Sequence, residues 1–366
     1  MDFGHGVLVG GGAAFVLTGA GILLLRRPAM RLGLVDRPNH RKRHEGAVPL
    51  TGGVALLAAL IVAATLTPVN WWALWSLPLG VVVLGLLGLV DDLVDIGSIV
   101  RLVVQLGVAW IMVVAGVQIV SLGNLLGTGP LNLGWVGPAF TILCVAFMIN
   151  AINMMDGIDG LAGSISLLAV AGLSVLALSA GMDAKAAVGV LLASGLAAFL
   201  LFNLRSPWLR RAAVFLGDSG SMVLGFVLAW LAVAITQGPA SSVAPISIAF
   251  LLLLPAADSL SVSFRRLRRG RNPLAADRTH LHHVLCRAGF PVSTVVALIA
   301  GNQLALVLLA LACHFGSCPE PLQFALFTLL LLAYVGFSLN AHHFLRAMRR
   351  LRRRRLAAGR LKPEIG

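Results

Sequence analysis

Asn150-Ala151-Ile152-Asn153-Met154-Met155-Asp156-Gly157-Ile158-Asp159-Gly160-Leu161-Ala162 is the stretch from which the rest of the chain can be read. It closes an apolar run over residues 135–154, and a second run, 161–180, follows at once. A membrane helix needs about twenty such residues. The stretch holds two carboxylates, two amides and two glycines. Asp156 and Asp159 are three apart, so on a helix they share one face. Ionisable groups at the edge of a membrane segment are costly, and where they persist they mark function.

The composition agrees. The chain has 366 residues, 58% hydrophobic and 11% charged, against roughly a quarter charged in a soluble domain. An all-α integral membrane protein is expected. A net charge of +14 could serve nucleic acid, but it falls in short blocks between apolar runs, as orientation signals do, so no nucleic-acid partner is expected. The first run, 7–25, is followed by Arg26-Arg27, which reads as a retained helix with a basic flank and not a cleaved signal.

Eleven runs have spanning length, at about 6–25, 48–67, 72–90, 99–121, 135–154, 161–180, 185–203, 214–236, 243–263, 293–313 and 322–343. Pro255 is expected to break the ninth. With the first loop inside and strict alternation, 27 of the 28 basic residues fall on one side; only Lys185 falls on the other. That asymmetry predicts eleven transmembrane helices with the N-terminus outside and the C-terminus inside. Residues 1–345 form one polytopic domain, and 346–366 form a basic cytoplasmic tail attracted to anionic inner-membrane lipids. Most carboxylates lie on the basic side; Asp2, Asp183 and Glu320 alone lie opposite. The chemistry should therefore face the cytoplasm. Cys313 and Cys318 flank an outer loop, where a disulfide is an open option in an oxidising compartment.

Five segments on that face could carry chemistry. In Asp91-Asp92-Leu93-Val94-Asp95, three acids in five residues repel one another unless they hold a hard cation such as Mg²⁺ or Mn²⁺ or meet basic partners. The plain alternative is a helix ending in water. Asn150 and Asn153 could bond between helices or to a ligand, and Asp156 could simply end a helix. In Phe215-Leu216-Gly217-Asp218-Ser219-Gly220-Ser221, free amides at a helix start favour phosphate, and Asp218 is a metal ligand or only an N-cap. In Asp277-Arg278-Thr279-His280-Leu281-His282-His283, the lack of nearby cysteine ligands points away from zinc and towards phosphate, with a solvated loop as the alternative. Arg41-Lys42-Arg43-His44, ahead of Pro49-Leu50-Thr51-Gly52-Gly53, combines orientation charge with a phosphate gate. Together these fit the transfer of a phosphorylated group from a soluble donor to a membrane-held acceptor.

The same motifs resemble the polyprenyl-phosphate N-acetylhexosamine-1-phosphate transferases (glycosyltransferase family 4), most closely their WecA-like branch, over nearly the whole chain. The resemblance implies a UDP-N-acetylhexosamine donor, most closely UDP-GlcNAc, and undecaprenyl phosphate as acceptor. The acceptor's phosphate oxygen would attack the donor's β-phosphorus and release UMP, as the first membrane step of a surface polysaccharide such as O-antigen. It implies a bacterial inner-membrane enzyme with a periplasmic N-terminus, and it leaves a homodimer open. By the same resemblance the catalytic residues are Asp91, Asp92 and Asp218. Asp218 is the first Mg²⁺ ligand (Mn²⁺ the alternative), Asp92 supports the metal or the geometry, and Asp91 deprotonates the lipid phosphate. Asn150, Asn153, Asp156 and Asp159 line the nucleotide pocket, with Asp159 nearest the uridine. Arg43, His44, Arg278, His280, His282 and His283 grip the donor. Asp258 resembles a family position without an assigned role.

Other readings stand beside this one. They are the same reaction on another UDP-N-acetyl sugar, MurNAc-pentapeptide transfer, an ion-coupled transporter and a non-catalytic scaffold. The Asp-Arg-x-His-x-His-His spacing and the Arg-Lys-Arg-His run argue against the MurNAc-pentapeptide branch.

Overall fold

The computed structural model describes residues 3–36, 46–238, 241–268, 270, 279–348 and 350. Twelve α-helices make up most of them. They are α1 (Phe3–Leu32), α2 (Gly52–Thr65), α3 (Ser76–Val94), α4 (Ser98–Val114), α5 (Gly137–Met155) and α6 (Leu161–Ser179), then α7 (Asp183–Asn203), α8 (Gly217–Thr236), α9 (Pro245–Leu267), α10 (Leu281–Ala288), α11 (Val292–Phe315) and α12 (Glu320–Leu339). Two short strands, β1 (Val35–Asp36) and β2 (Val48–Pro49), pair antiparallel.

Nine of the helices are long and apolar enough to cross a membrane, and the chain is a multi-pass membrane protein. The other two of the eleven expected spans are shorter. α2 has 14 residues and α4 has 17, reaching about 21 and 26 Å at 1.5 Å per residue, below a hydrocarbon core of ~30 Å. α2 starts late because Val48 and Pro49 pair with Asp36 and Val35. α4 ends early because Gly116 takes a positive φ and Ser121 then bridges Asn132.

The expected break at Pro255 is absent: α9 runs through it. Proline removes the N–H that would reach the carbonyl four residues back. That carbonyl, on Leu251, instead accepts a 2.8 Å bond from Gln303 Nε2 of α11, so a neighbouring helix satisfies the freed group. Cys313 and Cys318 are free thiols.

α8 is the hub. Nearly every residue from Gly217 to Ile235 is buried, and α8 packs against α2, α3, α5, α6 and α9. Small residues permit this. A Cβ on Gly53 would meet the backbone of Gly220, and one on Gly88 the backbone of Ser219, so α2 and α3 approach α8 backbone to backbone. α12 fully buries only Gln323 and Ser338; Leu322, Leu329 and Leu332 face outward, while Leu326, Leu330 and Leu331 pack on the core. Trp72 and Trp135 are exposed ahead of α3 and α5, and Trp208 is exposed at the opposite end, as interfacial aromatic belts are. The C-terminal ends of α3 and α5, the N-terminus of α8 and helix α10 therefore gather at one end.

Candidate active site

The N-terminus of α8 builds the centre. The segment ahead of it is stitched to the first loop: Phe215 N donates to Pro49 O at 2.9 Å, and Gly52 N and Gly53 N donate to Phe215 O and Leu216 O at 3.0 and 2.8 Å. Gly217 takes φ +75 and turns the chain into the helix. A carboxylate from α3 then meets the first amides. Asp92 accepts from Asp218 N at 2.9 Å and Ser219 N at 3.3 Å, which answers both the orphan donors and the positive end of the helix dipole.

Asp218 is left facing outward, its side chain about a third exposed. Asn153 Nδ2 donates to its Oδ1 at 2.5 Å and to Ser221 Oγ at 2.9 Å. Arg101, from the first turn of α4, donates Nη1 to Asp91 Oδ2 at 2.5 Å and lies 3.4 Å from Asp218 Oδ2. Asp91 is buried and also accepts from Ile96 N at 2.6 Å. Arg101 thus holds together two carboxylates that would otherwise repel. Asn150 sits one turn deeper and donates to Gln105 Oε1 at 2.6 Å and Ala146 O at 2.7 Å, so it bonds between helices.

No cluster of three or more His, Cys, Asp or Glu among the described residues could cage a metal. Asp92 is engaged by amides and Asp91 by Arg101. The donor set fits a dication in the open manner of Mg²⁺, which takes one or two carboxylates and completes its shell with substrate phosphates and water; Asp218 is the carboxylate so placed.

The turn after α5 forms the second wall. Asp156 ends the helix, and Gly160 takes φ +83 with its N–H on Asn203 Oδ1 at 2.7 Å. Asn203 Nδ2 in turn holds Val214 O at 2.8 Å, ahead of α8. Asp159 accepts from Arg205 Nε at 2.7 Å and Ala212 N at 3.2 Å, which ties the turn to the α7–α8 loop.

The histidines sit on α10. His282 is fully buried, with its ring where a Cβ on Gly157 would lie. Neither of its ring nitrogens has a hydrogen-bond partner among the described residues. Burial, with His283 next to it, pushes its pKa down to about 3, so the ring is neutral. His280 is stacked on it with centroids 5.8 Å apart, and His283 is tilted against it at 4.1 Å. The structure therefore brings Asp91, Asp92, Asn150, Asn153, Asp156, Asp159, Asp218, His280, His282 and His283 to one end of the bundle. Arg43, His44 and Arg278 lie outside the described residues. Sequence reasoning missed Arg101, Gln105 and Arg205. The signal was there for the first two: a cation and an amide at i,i+4 on an otherwise apolar helix.

The model for glycosyl transferase family 4 matches residues 74–236, which hold both aspartate motifs and the Asn150–Ala162 turn. The undecaprenyl-phosphate alpha-N-acetylglucosaminyl 1-phosphate transferase of Yersinia pestis is 35% identical over 358 residues, covering 96% of each chain. The chain belongs to glycosyl transferase family 4. Relatives of the same description in Escherichia coli K12 and Pasteurella multocida are 33% identical to this family 4 transferase, covering 93% and 91% of it and 94% of their own lengths. Its family match ends with the last residue of α8, so Asp258 and the α10 histidines lie beyond the matched residues.

Proposed function

We propose that this enzyme transfers N-acetylglucosamine 1-phosphate from UDP-GlcNAc to undecaprenyl phosphate and releases UMP. It would work in the bacterial inner membrane, with its N-terminus periplasmic and the site facing the cytoplasm. The observation that carries the reading is Asp218, a carboxylate about a third exposed at the N-terminus of α8, flanked by Arg101 and Asn153. A helix N-terminus and a guanidinium attract phosphate, and a carboxylate beside them attracts the dication that accompanies a diphosphate. The names of the relatives give the acceptor, undecaprenyl phosphate, and the group transferred, N-acetylglucosamine 1-phosphate; the UDP carrier is what the sequence resemblance implies.

Asp218 would hold Mg²⁺, with Mn²⁺ the alternative. The dication, when bound, neutralises diphosphate charge that builds up as the phosphoryl group transfers. Asp92 acts through geometry, fixing the helix that carries Asp218. Arg101 moves from Asp91 to an incoming phosphate, and Asp91, so uncovered, takes any proton left on the acceptor. The acceptor oxygen then attacks the β-phosphorus, the bond to the UMP oxygen breaks, and UMP leaves. Asn153, Asp156 and Asp159 shape the nucleotide end, with Arg205 bracing Asp159. The neutral His282, whose ring nitrogens have no partner among the described residues, and its neighbours His280 and His283 meet the donor's diphosphate or sugar. Arg43, His44 and Arg278 add charge from the adjoining loops, and the tail from Arg346 rests on anionic lipid.

The test is purified protein in nanodiscs with undecaprenyl phosphate, Mg²⁺ and a panel of UDP-sugars, read as UMP. Release with UDP-GlcNAc that depends on both lipid and metal supports the proposal. Release with another N-acetyl sugar alone, or only with UDP-MurNAc-pentapeptide, would reassign the donor. Solute uptake into liposomes without UMP would sink the enzyme reading.

A further inference from the structure

Asp258 is a carboxylate in the body of α9, 1% exposed, and three donors converge on it. His280 Nδ1 donates to Oδ2 at 2.8 Å. Leu281 N, the first amide of α10, donates to Oδ1 at 2.9 Å. Tyr334 OH, from α12, donates to the same oxygen at 2.8 Å. Tyr334 is the only tyrosine in the chain. A buried charge persists only where such bonds compensate it. This one joins three helices: α9 supplies the carboxylate, α10 the histidine and a helix-end amide, and α12 the hydroxyl.

The histidine it holds is part of the site. His280 lies nearly parallel to His282 in an offset stack, centroids 5.8 Å apart and interplanar angle 12°. His282 rests on Gly157, in the turn that carries Asp156 and Asp159. Both ring nitrogens of His282 are buried and without a partner among the described residues, a costly state that a ligand group can relieve. α10 has only eight residues, too few to hold a helical form or a position by itself. What fixes it is its contact with α11, the ring stack and the Asp258 anchor.

We infer that Asp258 is the positioning residue for the donor end of the site: its carboxylate fixes the first turn of α10 and sets His280 with Nδ1 protonated, and through the His280–His282 stack it seats the histidines against the Asp156–Asp159 turn. This rests on the proposed donor-binding role of those histidines. A carboxylate that accepts from Nδ1 fixes the tautomer and leaves Nε2 as the nitrogen that meets anything else. Tyr334 has the lesser part, orienting Asp258 from α12.

Two variants of the full-length protein in nanodiscs test it. Asp258→Asn keeps the shape but turns an amide towards His280 Nδ1, which favours the opposite tautomer. Tyr334→Phe removes one donor and leaves the His280 bond. The expected result for Asp258→Asn is a KM for UDP-GlcNAc raised about tenfold, as for the loss of a charge-assisted hydrogen bond, with the KM for undecaprenyl phosphate within about twofold. Tyr334→Phe should shift the donor KM the same way by about twofold. The second readout needs no turnover. ¹⁵N-histidine spectra, with His280 assigned by its loss in His280→Gln, should show Nδ1–H in the unmodified protein and Nε2–H in Asp258→Asn. Donor and acceptor KM rising together, an unchanged donor KM, or Nε2–H in the unmodified protein would each overturn the inference. Should Asp258→Asn fail to fold, the tautomer of the unmodified protein and the KM split in Tyr334→Phe decide it. Absence of UMP release from every UDP-sugar would break the functional reading, while the spectra would still judge Asp258.

Discussion

Asp92 and Asp258 do the same job in two settings. Each is a carboxylate on one helix that accepts amides at the N-terminus of another: Asp92 for α8 and Asp258 for α10. The settings differ in what else holds the capped helix. α8 is buried along nearly its whole length and touches α2 and α3 backbone to backbone. α10 is eight residues long and buries only His282, Val284 and Leu285. A cap on a helix already fixed by packing refines its aim. A cap on a short helix at the surface of the bundle decides where it sits. The α8 half should therefore keep its fold when its polar groups are altered and lose chemistry, whereas the α10 half should lose substrate affinity.

The sharpest test of that contrast is Asp218→Asn. UMP release should fall by roughly 10²–10³-fold, the scale of losing an electrostatic group aimed at the transition state, while the melting temperature in detergent stays within about 2 °C. A melt that collapsed with the activity would place Asp218 in the framework and remove the distinction. Gly88→Ala probes the opposite property. Its methyl group would meet the Ser219 backbone, so we expect about 1–3 kcal/mol of destabilisation, seen as a lower melting point and less folded protein. An unchanged melt would show that α3 and α8 can part at little cost.

Arg101→Gln should have a smaller effect, about a tenfold loss of turnover. Asp91 and Asp218 would lose the cation between them, and part of the loss should be recovered at higher Mg²⁺. No response to Mg²⁺ would separate Arg101 from the metal.

The smallest effect concerns pH. His282 is held neutral in the fold, its pKa pushed by burial from 6.5 to about 3. The unfolded chain takes up its proton below about pH 6.5 and the folded chain does not, so stability falls as the pH drops through that window. Between pH 7 and pH 5 the melting point should fall by a few degrees, about 2–4 °C, and less in His282→Phe. An equal fall in the variant would assign the effect to other groups.

Much of this was legible in the residues. Asp91, Asp92, Asp218 and the Asn150–Ala162 turn stand out because charge in an apolar sequence is conspicuous, and alternation of the spans puts them at one end. Their division of labour was not legible. Whether a carboxylate faces a ligand, an arginine or a row of amides depends on which side chain a neighbouring helix presents. Arg101 and Asp218 are 117 positions apart. Asp258 was conspicuous too, but its partners His280 and Tyr334 lie 22 and 76 positions away, so no local pattern could assign its role. Pro255 misled for the same reason, since the donor that rescues Leu251 comes from α11.

By itself the sequence determined a polytopic helical membrane protein and its motif-bearing end, because hydropathy and charge act over single segments and need no knowledge of neighbours. The shortness of α2 and α4, the backbone contact of α3 with α8, the Arg101 bridge and the anchoring of α10 by Asp258 were decided only by the tertiary structure. Each is a contact between segments far apart in the chain, and such contacts form only when the whole bundle packs.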